Sequence, residues 1–524
     1  MKQQYLKRFL SLALTAAMLV TMAACGGQAN SQAAPSQDGG ASGQEAATGT
    51  SYKENIVVAS DKKLTNRDPQ SISNGSHRIL FHLTHDGLTY ADPETNELKL
   101  TLAEDYTLSE DLLTYTIKLR QGVTFHDGSP FTADDVVFTF ERGKETAAGA
   151  YRTVFESVEE IKAVDDYTVE IKLLSPNVDF LYNLTNPGFG MLSREALEND
   201  PEDGASVGCG PWKYKEFVDG DYVLLERFDD YYGEKAKAKT LKLACIPEGS
   251  ARLIALQNGE IDLCQDPNNS ELGIIADDPK LELIQFDSVA ETYMAINVQK
   301  GPGDNKTLRQ AIAYALNLDE IILGAWDGYA KKANSTWGWS QQGYNKDITA
   351  YPQDIEKAKA LMAEAGYPDG VDIELITNNT QRVVAATIIQ NQLKQIGINL
   401  TVTELDSAGI TSRLSSDDFQ IALYDNNWFC FADDGRRLFA ANSSSNNANY
   451  VNERIQELLD LGAAEVDEAK RMEYYHEIQE IAHDDCAYIP IAYASKAIAT
   501  VKGLGGVTYD PGTSHDYSNI YVME

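Results

Sequence analysis

About 475 residues follow the first fifty, and a stretch of that length is too long for a single hydrophobic core. It is expected to divide into two or three cores. Segments of strand and helix character alternate along this stretch, and no internal repeat is detectable. Beyond the N-terminal segment, no apolar run is long enough to span a membrane. The pattern predicts a mixed α/β protein built from several parts.

Two regions illustrate the alternation. Residues 112–120 alternate as a strand and lead into a tight turn, after which Thr132 can cap a helix that begins with apolar residues on one face. Residues 371–376, 383–396 and 399–403 predict a strand, a helix stopped by a glycine, and a second strand. This second region is typical of a βαβ unit.

The N-terminus has the pattern of an export signal. Three basic residues precede an apolar run over residues 9–22, and two small residues then precede Cys25. The apolar run is shorter than the roughly 20 residues of a membrane-spanning helix, which argues against a permanent transmembrane anchor. Met22-Ala23-Ala24-Cys25 resembles the bacterial lipobox, in which the cysteine is acylated and becomes the new N-terminus. The resemblance implies a signal peptide over residues 1–24 and a lipid anchor on Cys25.

Residues 28–50 are rich in Gly, Ser, Ala and Gln and contain no large apolar side chain. Such a composition cannot bury enough surface to offset the entropy of ordering, so residues 25–50 are predicted to form a flexible tether. The alternative is a spacer that serves no partner. A tethered, lipid-anchored protein is expected on the extracytoplasmic face of the membrane, in a bacterium without a closed periplasm.

The excess of acidic over basic residues limits the kinds of partner that the chain can bind. The formal net charge is -35, which argues strongly against binding to nucleic acid or to an anionic membrane surface. Contact with the membrane is therefore expected only through the lipid anchor.

Cysteine and histidine positions do not predict a metal site or a catalytic site. The cysteines beyond Cys25 lack CxxC or zinc-like spacing, and their disulfide pairing stays open: Cys209, Cys245, Cys264, Cys430 and Cys486. His82 and His85 lie three residues apart, a spacing that suits structural roles better than metal ligation. His126 is interpreted as holding a turn, because no GxSxG, HExxH or P-loop motif accompanies it. We expect no enzyme activity, no metal and no cofactor.

Several ordered blocks carry a family resemblance. LRQGVTFHDGSPFTADDVVFTFER at residues 119–142 resembles the signature of the family 5 extracellular solute-binding proteins, the oligopeptide, dipeptide and nickel-complex receptors of ABC importers. Residues 207–263 follow the same family's pattern. TYMAINVQK, LRQAIAYALNLDEII and YYHEIQEIAHDDCAYIPIAY continue it in the expected order. The resemblance covers essentially everything after the tether.

The resemblance implies a bilobal, periplasmic-binding-protein-like clamshell, with two mixed α/β lobes joined by a two-strand hinge. Lobe I is expected to combine three chain segments, residues 51–76, 200–290 and 495–524. An inserted subdomain is expected over residues 77–199, and lobe II over residues 291–494. The chain would cross between the lobes near residues 289–292 and 492–495, and hinge closure around a ligand is expected.

The resemblance also implies a ligand site after residues 422–427. In peptide-binding relatives a strand that ends near a Trp is followed by a loop Asp that pairs with the ligand's α-ammonium group. Asp433 is the best match, and the alignment can slip to Asp434 or to Asp425. Main-chain and stacking contacts with an extended peptide are expected from three neighbouring residues: Asn426, Asn427 and Trp428.

A second set of candidates follows residues 371–376. Some dipeptide receptors keep an Arg there for the ligand carboxylate, and Arg382 occupies a matching position beside Asn378 and Asn379. The expected function is therefore capture of a peptide by a monomeric, lipid-anchored receptor that delivers it to an ABC permease. Two alternatives remain open: a receptor for another solute, such as a metal chelate or an oligosaccharide, and a surface hydrolase.

Overall fold

A computed structural model describes residues 51–72, 75–92, 95–147, 149–427, 435–510 and 515–524. Its strands are β1 (Asn55–Ser60), β2 (Thr89–Ala91), β3 (Leu98–Leu100), β4 (Ala103–Leu108), β5 (Thr114–Leu119), β6 (Val158–Asp165), β7 (Thr168–Leu173), β8 (Trp212–Val218), β9 (Tyr222–Arg227), β10 (Thr240–Cys245), β11 (Leu263–Gln265), β12 (Leu281–Ile296), β13 (Ala330–Lys332), β14 (Val371–Thr377), β15 (Ile398–Glu404), β16 (Ile421–Asn427), β17 (Tyr488–Val501), β18 (Leu504–Gly505) and β19 (Tyr521–Val522).

Helices alternate with these strands. They are α1 (Gly75–Thr84), α2 (Ala133–Thr146), α3 (Gly149–Glu156), α4 (Phe180–Asn183), α5 (Arg194–Asn199), α6 (Gly249–Gln257), α7 (Leu272–Asp277), α8 (Lys306–Ala315), α9 (Leu318–Trp326), α10 (Ile355–Glu364), α11 (Thr380–Lys394), α12 (Ser407–Ser415), α13 (Arg436–Phe439), α14 (Glu453–Ala464) and α15 (Glu468–Asp485).

Two long strands run through the middle of the main sheet. The strand order is β15-β14-β16-β12-β17-β11-β1-β10-β9-β8, and β13 also pairs with β17. β12 has 16 residues and β17 has 14, so each reaches well beyond the length of its neighbours. Their antiparallel register shifts between Asp287 and Glu291. The predicted crossings near residues 289–292 and 492–495 fall inside these two strands.

Separate hydrophobic cores lie on the two sides of the long strands. One core packs α8, α9 and α11 on β14, β15 and β16, with Ile312, Leu375 and Ile389 fully buried. Another packs β1, β9 and β10 around Trp212. Each of these cores has its own set of strands and helices. The exact domain boundaries stay a prediction.

A further four-stranded sheet, β4-β5-β7-β6, lies within residues 103–173. Its buried side chains, including Ile117 and Ile171, pack against Phe140 of α2 and Phe155 of α3. The carboxylate of Asp135 accepts a hydrogen bond from the backbone N–H of Thr132 at 2.9 Å, which closes the start of α2. This sheet has a core of its own and belongs to the region predicted as an inserted subdomain.

The predicted βαβ unit is present, because β14 and β15 are parallel and α11 connects them. The helix begins at Thr380, three residues before its predicted start, since Asn379 accepts a hydrogen bond from the backbone N–H of Gln381 at 2.9 Å and caps it. Gly397 ends the connection with φ at 87°, a conformation that suits glycine.

The histidines singled out in the sequence make structural contacts. His126 Nε2 lies 3.0 Å from the Gly210 carbonyl oxygen, and burial lowers its pKa to about 4. His85 Nε2 lies 3.1 Å from the Ala205 carbonyl oxygen, and burial lowers its pKa to about 3. His82 Nε2 lies 3.7 Å from a carboxylate oxygen of Asp516.

Four cysteines are free thiols in the described part of the chain: Cys209, Cys245, Cys264 and Cys486. Cys430 and Cys25 lie outside the described residues.

Candidate functional site

β16 positions two of the predicted site residues at its carboxyl end. It pairs with β12 in antiparallel register, so that Asp425 lies opposite Thr292 and Asn426 lies opposite Glu291. The Thr292 hydroxyl donates a hydrogen bond to Asp425 Oδ1 at 2.8 Å. Because β12 is one of the two long strands, these side chains lie at the point where the two halves of the main sheet meet.

Arg382 lies in the first turn of α11 and reaches the same place. Its Nη1 donates to Asp425 Oδ2, and its Nη2 donates to Asn378 Oδ1. Its Nε donates to the Asn378 carbonyl oxygen at 3.0 Å, and the guanidinium carbon lies 5.4 Å from the centre of the Tyr424 ring. The Arg382 side chain is 10% exposed and that of Asp425 is 40% exposed, so the ion pair has one solvent-facing side.

Asn426, the next residue along β16, is buried. Its Oδ1 accepts a hydrogen bond from Arg437 Nη2 at 2.8 Å. Its Nδ2 is also buried and makes no hydrogen bond to the residues that the structure describes. Buried amide donors are nearly always hydrogen-bonded in folded proteins, so this N–H group is suited to an acceptor brought by a ligand.

One edge of β16 is only partly paired. On the β14 side the strand ladder covers Ile421 to Leu423 and ends where β14 ends, at Thr377. Within the described residues, the ladder on that side does not extend to Tyr424, Asp425 and Asn426. An extended chain laid along this edge would find backbone donors and acceptors next to Arg382.

A second ion pair lies on the other half of the main sheet. Lys496 of β17 and Asp266, which follows β11, approach to 3.1 Å. The Asp266 carboxylate raises the pKa of the Lys496 ammonium above its ordinary value, and the charge of Asp425 acts in the same direction. His515 is neutral here, because burial lowers its pKa to about 4. Charged groups from both halves therefore surround the strand crossing.

A loop from residues 336 to 344 packs against β12 and Gly435. Trp339 Nε1 donates to the Ser288 carbonyl oxygen at 2.9 Å, which fixes the loop to β12. The buried Trp337 ring packs so closely on Gly435 that a Cβ built there would lie 2.0 Å from its Cη2 atom. Residue 435 therefore has to be glycine in this conformation.

The structure brings together part of the predicted set. Asp425, Arg382 and Asn378 are in one hydrogen-bonded group, whereas Asn426 is bonded to Arg437 and Asn379 serves as the cap of α11. Asn427 ends β16 opposite Ala290. Trp428, Asp433 and Asp434 lie outside the described residues.

Four participants were missed by the sequence analysis: Thr292, Arg437, Lys496 and Asp266. Thr292 lies within a predicted crossing, and Lys496 lies one residue beyond the other. Polar residues within otherwise apolar crossing strands were therefore the available signal for these two residues. Nothing in the local sequence of Arg437 or Asp266 indicates a role at this site.

No group of three or more His, Cys, Asp or Glu side chains is arranged to hold a metal ion in the described ranges. None of the helices in that part of the chain is long and apolar enough to cross a membrane.

The chain is similar in sequence to peptide-binding proteins. It is 29% identical over 466 residues to the dipeptide-binding protein of Escherichia coli K12, covering 82% of this chain and 87% of that one. It is 28% identical over 483 residues to the glutathione-binding protein GsiB of Salmonella paratyphi A, covering 88% of this chain and 94% of that one.

Solved structures of binding proteins are also similar to this chain. CtaP, an ABC transporter substrate-binding protein of Listeria monocytogenes, superimposes with a TM-score of 0.81 at 29% identity over 90% of this chain and 100% of that one. DppA of Helicobacter pylori, solved with the peptide STSA, gives 0.78 at 26% identity over 90% of this chain and 99% of that one. The fold is therefore the bilobal, mixed α/β clamshell that the resemblance implied, and the relatives are binding proteins rather than enzymes.

The family model described as bacterial extracellular solute-binding proteins, family 5 Middle, matches residues 97–450. That range is more than half of the 524 residues. It also contains the Arg382–Asp425 pair and the partly paired edge of β16. The chain belongs to the family 5 bacterial extracellular solute-binding proteins.

Proposed function

We propose that this chain captures short peptides outside the cell and delivers them to the membrane subunits of an ABC importer. The observation that carries the proposal is the partly paired edge of β16 beside Arg382 and Asn426. A peptide laid along this edge would add a strand, and main-chain hydrogen bonds would hold it whatever its side chains are. The buried Asn426 Nδ2 would donate to a peptide carbonyl oxygen.

Arg382 is proposed to bind the ligand carboxylate. A guanidinium has five N–H donors, and three of its hydrogen bonds go to Asp425 and Asn378. The remaining N–H groups are suited to a carboxylate, and such charge-assisted bonds are among the stronger ones in proteins. Asp425 is less suited to the ligand ammonium, because Arg382 and Thr292 already donate to its carboxylate.

Asp433, with Asp434 as the alternative in a slipped alignment, is proposed to meet the α-ammonium group. Trp428 and Asn427 are proposed to contact the peptide beside it. The relatives support a peptide ligand: the Helicobacter pylori protein was solved with the peptide STSA and a Pseudoalteromonas protein was solved with Met-Leu.

The test is a calorimetric titration with Met-Leu and with Ser-Thr-Ser-Ala. Asp433→Asn is expected to weaken binding of both peptides about ten- to hundredfold, because it replaces a charge-assisted bond with a neutral one. N-acetylation of the peptide should weaken wild-type binding similarly and add little in the variant, since both changes remove one pair.

Asp434→Asn shows which of the two loop aspartates pairs with the ammonium group. Asp418→Asn is the matched control, because Asp418 is an exposed aspartate of the same half. Full affinity of both loop variants for the free and the acetylated peptides would refute the ammonium–carboxylate pairing. Saturable binding of a sugar or a nickel chelate, with none of either peptide, would replace the peptide by that solute.

The chain is also proposed to be a monomer, anchored through acyl chains on Cys25 and joined to its body by the tether over residues 25–50. The lipobox supports this proposal. Metabolic labelling with a fatty acid is expected to mark the wild-type protein and not Cys25→Ser. Equal labelling of both would contradict the anchor.

Closure is proposed to turn on β12 and β17. The proposed parts are those expected from the resemblance: residues 51–76, 200–290 and 495–524 as lobe I, 77–199 as the insert, and 291–494 as lobe II. The separate cores on either side of the two long strands support this division.

A further inference from the structure

The four-stranded-sheet region and the α14–α15 helix pair are joined directly, apart from the two long strands. The backbone N–H of Val178 donates to the carbonyl oxygen of Ala463 in α14 at 2.9 Å. Val178 lies after β7 in the region predicted as the insert, whereas Ala463 lies in the region predicted as lobe II. The two residues belong to regions with different hydrophobic cores.

A buried ion pair lies next to this hydrogen bond. Asp179 Oδ1 and Arg471 Nη2 approach to 3.7 Å, and their side chains are 2% and 11% exposed. Each partner is also hydrogen-bonded within its own region. The backbone N–H of Asp179 donates to Asn177 Oδ1 at 3.0 Å, and Arg471 Nη1 donates to the Glu465 carbonyl oxygen at 2.9 Å.

Two more hydrogen bonds join the same regions beside the candidate site. Gln342 Nε2 donates to the Tyr182 hydroxyl at 3.1 Å, and Asn96 Nδ2 donates to the Ser340 carbonyl oxygen. Both partners on the lobe II side lie in the 336–344 loop, which packs on Gly435 through Trp337. The contacts between the two regions therefore extend from the 336–344 loop to Arg471.

We propose that Val178, Asp179, Ala463 and Arg471 form a latch that holds the clamshell closed without touching the ligand. Opening about β12 and β17 would separate the two regions, rehydrate both charges and release the Val178 N–H to water. Removal of either charge breaks this buried pair, so the closed state loses more than the open one, in which both groups are in water. The latch would then change the affinity for every ligand by the same factor, because it changes the population of the closed state.

Hydrogen exchange of the full chain without ligand tests the latch directly, because the Val178 amide is bonded only across the two regions. Asp179→Asn and Arg471→Gln are each expected to accelerate exchange of Val178 about tenfold, while amides of β4 to β7 keep their protection. The double variant should exchange more slowly than the product of the two effects predicts, since both changes remove one pair.

Matched controls are available in the same regions. Arg454→Gln removes an exposed arginine that pairs with Glu477 between α14 and α15, and Asp166→Asn removes an exposed aspartate of the four-stranded sheet region. Neither is expected to change Val178 exchange. If one latch variant does not fold, the other gives the same reading from the opposite side.

The affinity effect rests on the proposed function, whereas the exchange experiment does not. Both latch variants should weaken Met-Leu and Ser-Thr-Ser-Ala by the same factor of about ten, unlike a variant of the ligand site. If neither peptide binds the wild-type chain, the peptide proposal fails while the exchange result still judges the latch. Unprotected Val178 in the wild type, unchanged exchange in both variants, or equal acceleration in β4 to β7 would overturn the latch.

Discussion

At the scale of single residues, the Arg382–Asp425 pair is the feature that links the structure to ligand chemistry. If Arg382 binds the peptide carboxylate, Arg382→Gln should weaken Met-Leu binding about tenfold or more, because a charged fork is replaced by a neutral amide. Amidation of the peptide C-terminus should weaken wild-type binding by a similar factor and add little in the variant. Titration calorimetry with both peptides measures this coupling.

Arg413→Gln is the matched control, because Arg413 pairs with Glu374 in the same half of the molecule. Additive losses from Arg382→Gln and amidation would show that Arg382 only positions Asp425. Sequence reasoning chose Arg382 through the family resemblance, whereas its pairing with Asp425 was not predicted. The two residues are 43 positions apart, and the contact depends on how α11 packs beside β16.

At the scale of elements, the turn from β14 to α11 determines where Arg382 lies. Asn379 caps the helix and has φ at 70° with ψ at 136°, outside the left-handed helical region, a conformation that costs every side chain other than glycine about 1 kcal/mol or more. Loss of the cap costs about 1 kcal/mol besides. Asn379→Ala should therefore lower the free energy of unfolding by about 1 kcal/mol through the lost cap, and Asn379→Gly by clearly less, because glycine does not bear the backbone cost. Urea titration compares the two variants.

Equal losses of the free energy of unfolding in the Ala and Gly variants would show that only the cap, and not the backbone conformation of residue 379, affects stability. The βαβ unit itself was predicted, because its apolar periodicity and Gly397 are local signals. The start of α11 was predicted three residues late, since the capping role of Asn379 was overlooked in favour of a ligand-binding one.

At the scale of the whole molecule, histidines buried in different parts make stability depend on pH. Burial lowers the pKa of His85 to about 3, and of His126 and His515 to about 4. Below about pH 6.5 the unfolded chain binds protons that the folded chain does not, so stability falls as pH drops from 7 toward 4. Each histidine lowers the free energy of unfolding by up to about 1.4 kcal/mol for each pH unit of this fall.

Asp86 acts in the opposite direction, because burial raises its pKa to about 6 and the folded chain keeps a proton there between pH 4 and 6. The contribution of one carboxyl group to the pH dependence offsets only part of the contribution of three histidines. The urea midpoint should therefore fall between pH 7 and 4.5, and His126→Gln should make that slope shallower. A flat profile, or the same slope in the variant, would contradict this assignment.

The amino-acid sequence by itself determined the class and the family. Length and alternation predicted several α/β cores, and ordered blocks such as residues 119–142 carried the family resemblance. These signals can be read from the sequence without knowledge of the fold. The tertiary structure decided which residues meet. Thr292, Asp425 and Arg382 come together only through the register of β12 with β16 and the packing of α11, and Asp179 meets Arg471 only where two separate cores touch. Such contacts depend on long-range register and packing, which no local pattern encodes.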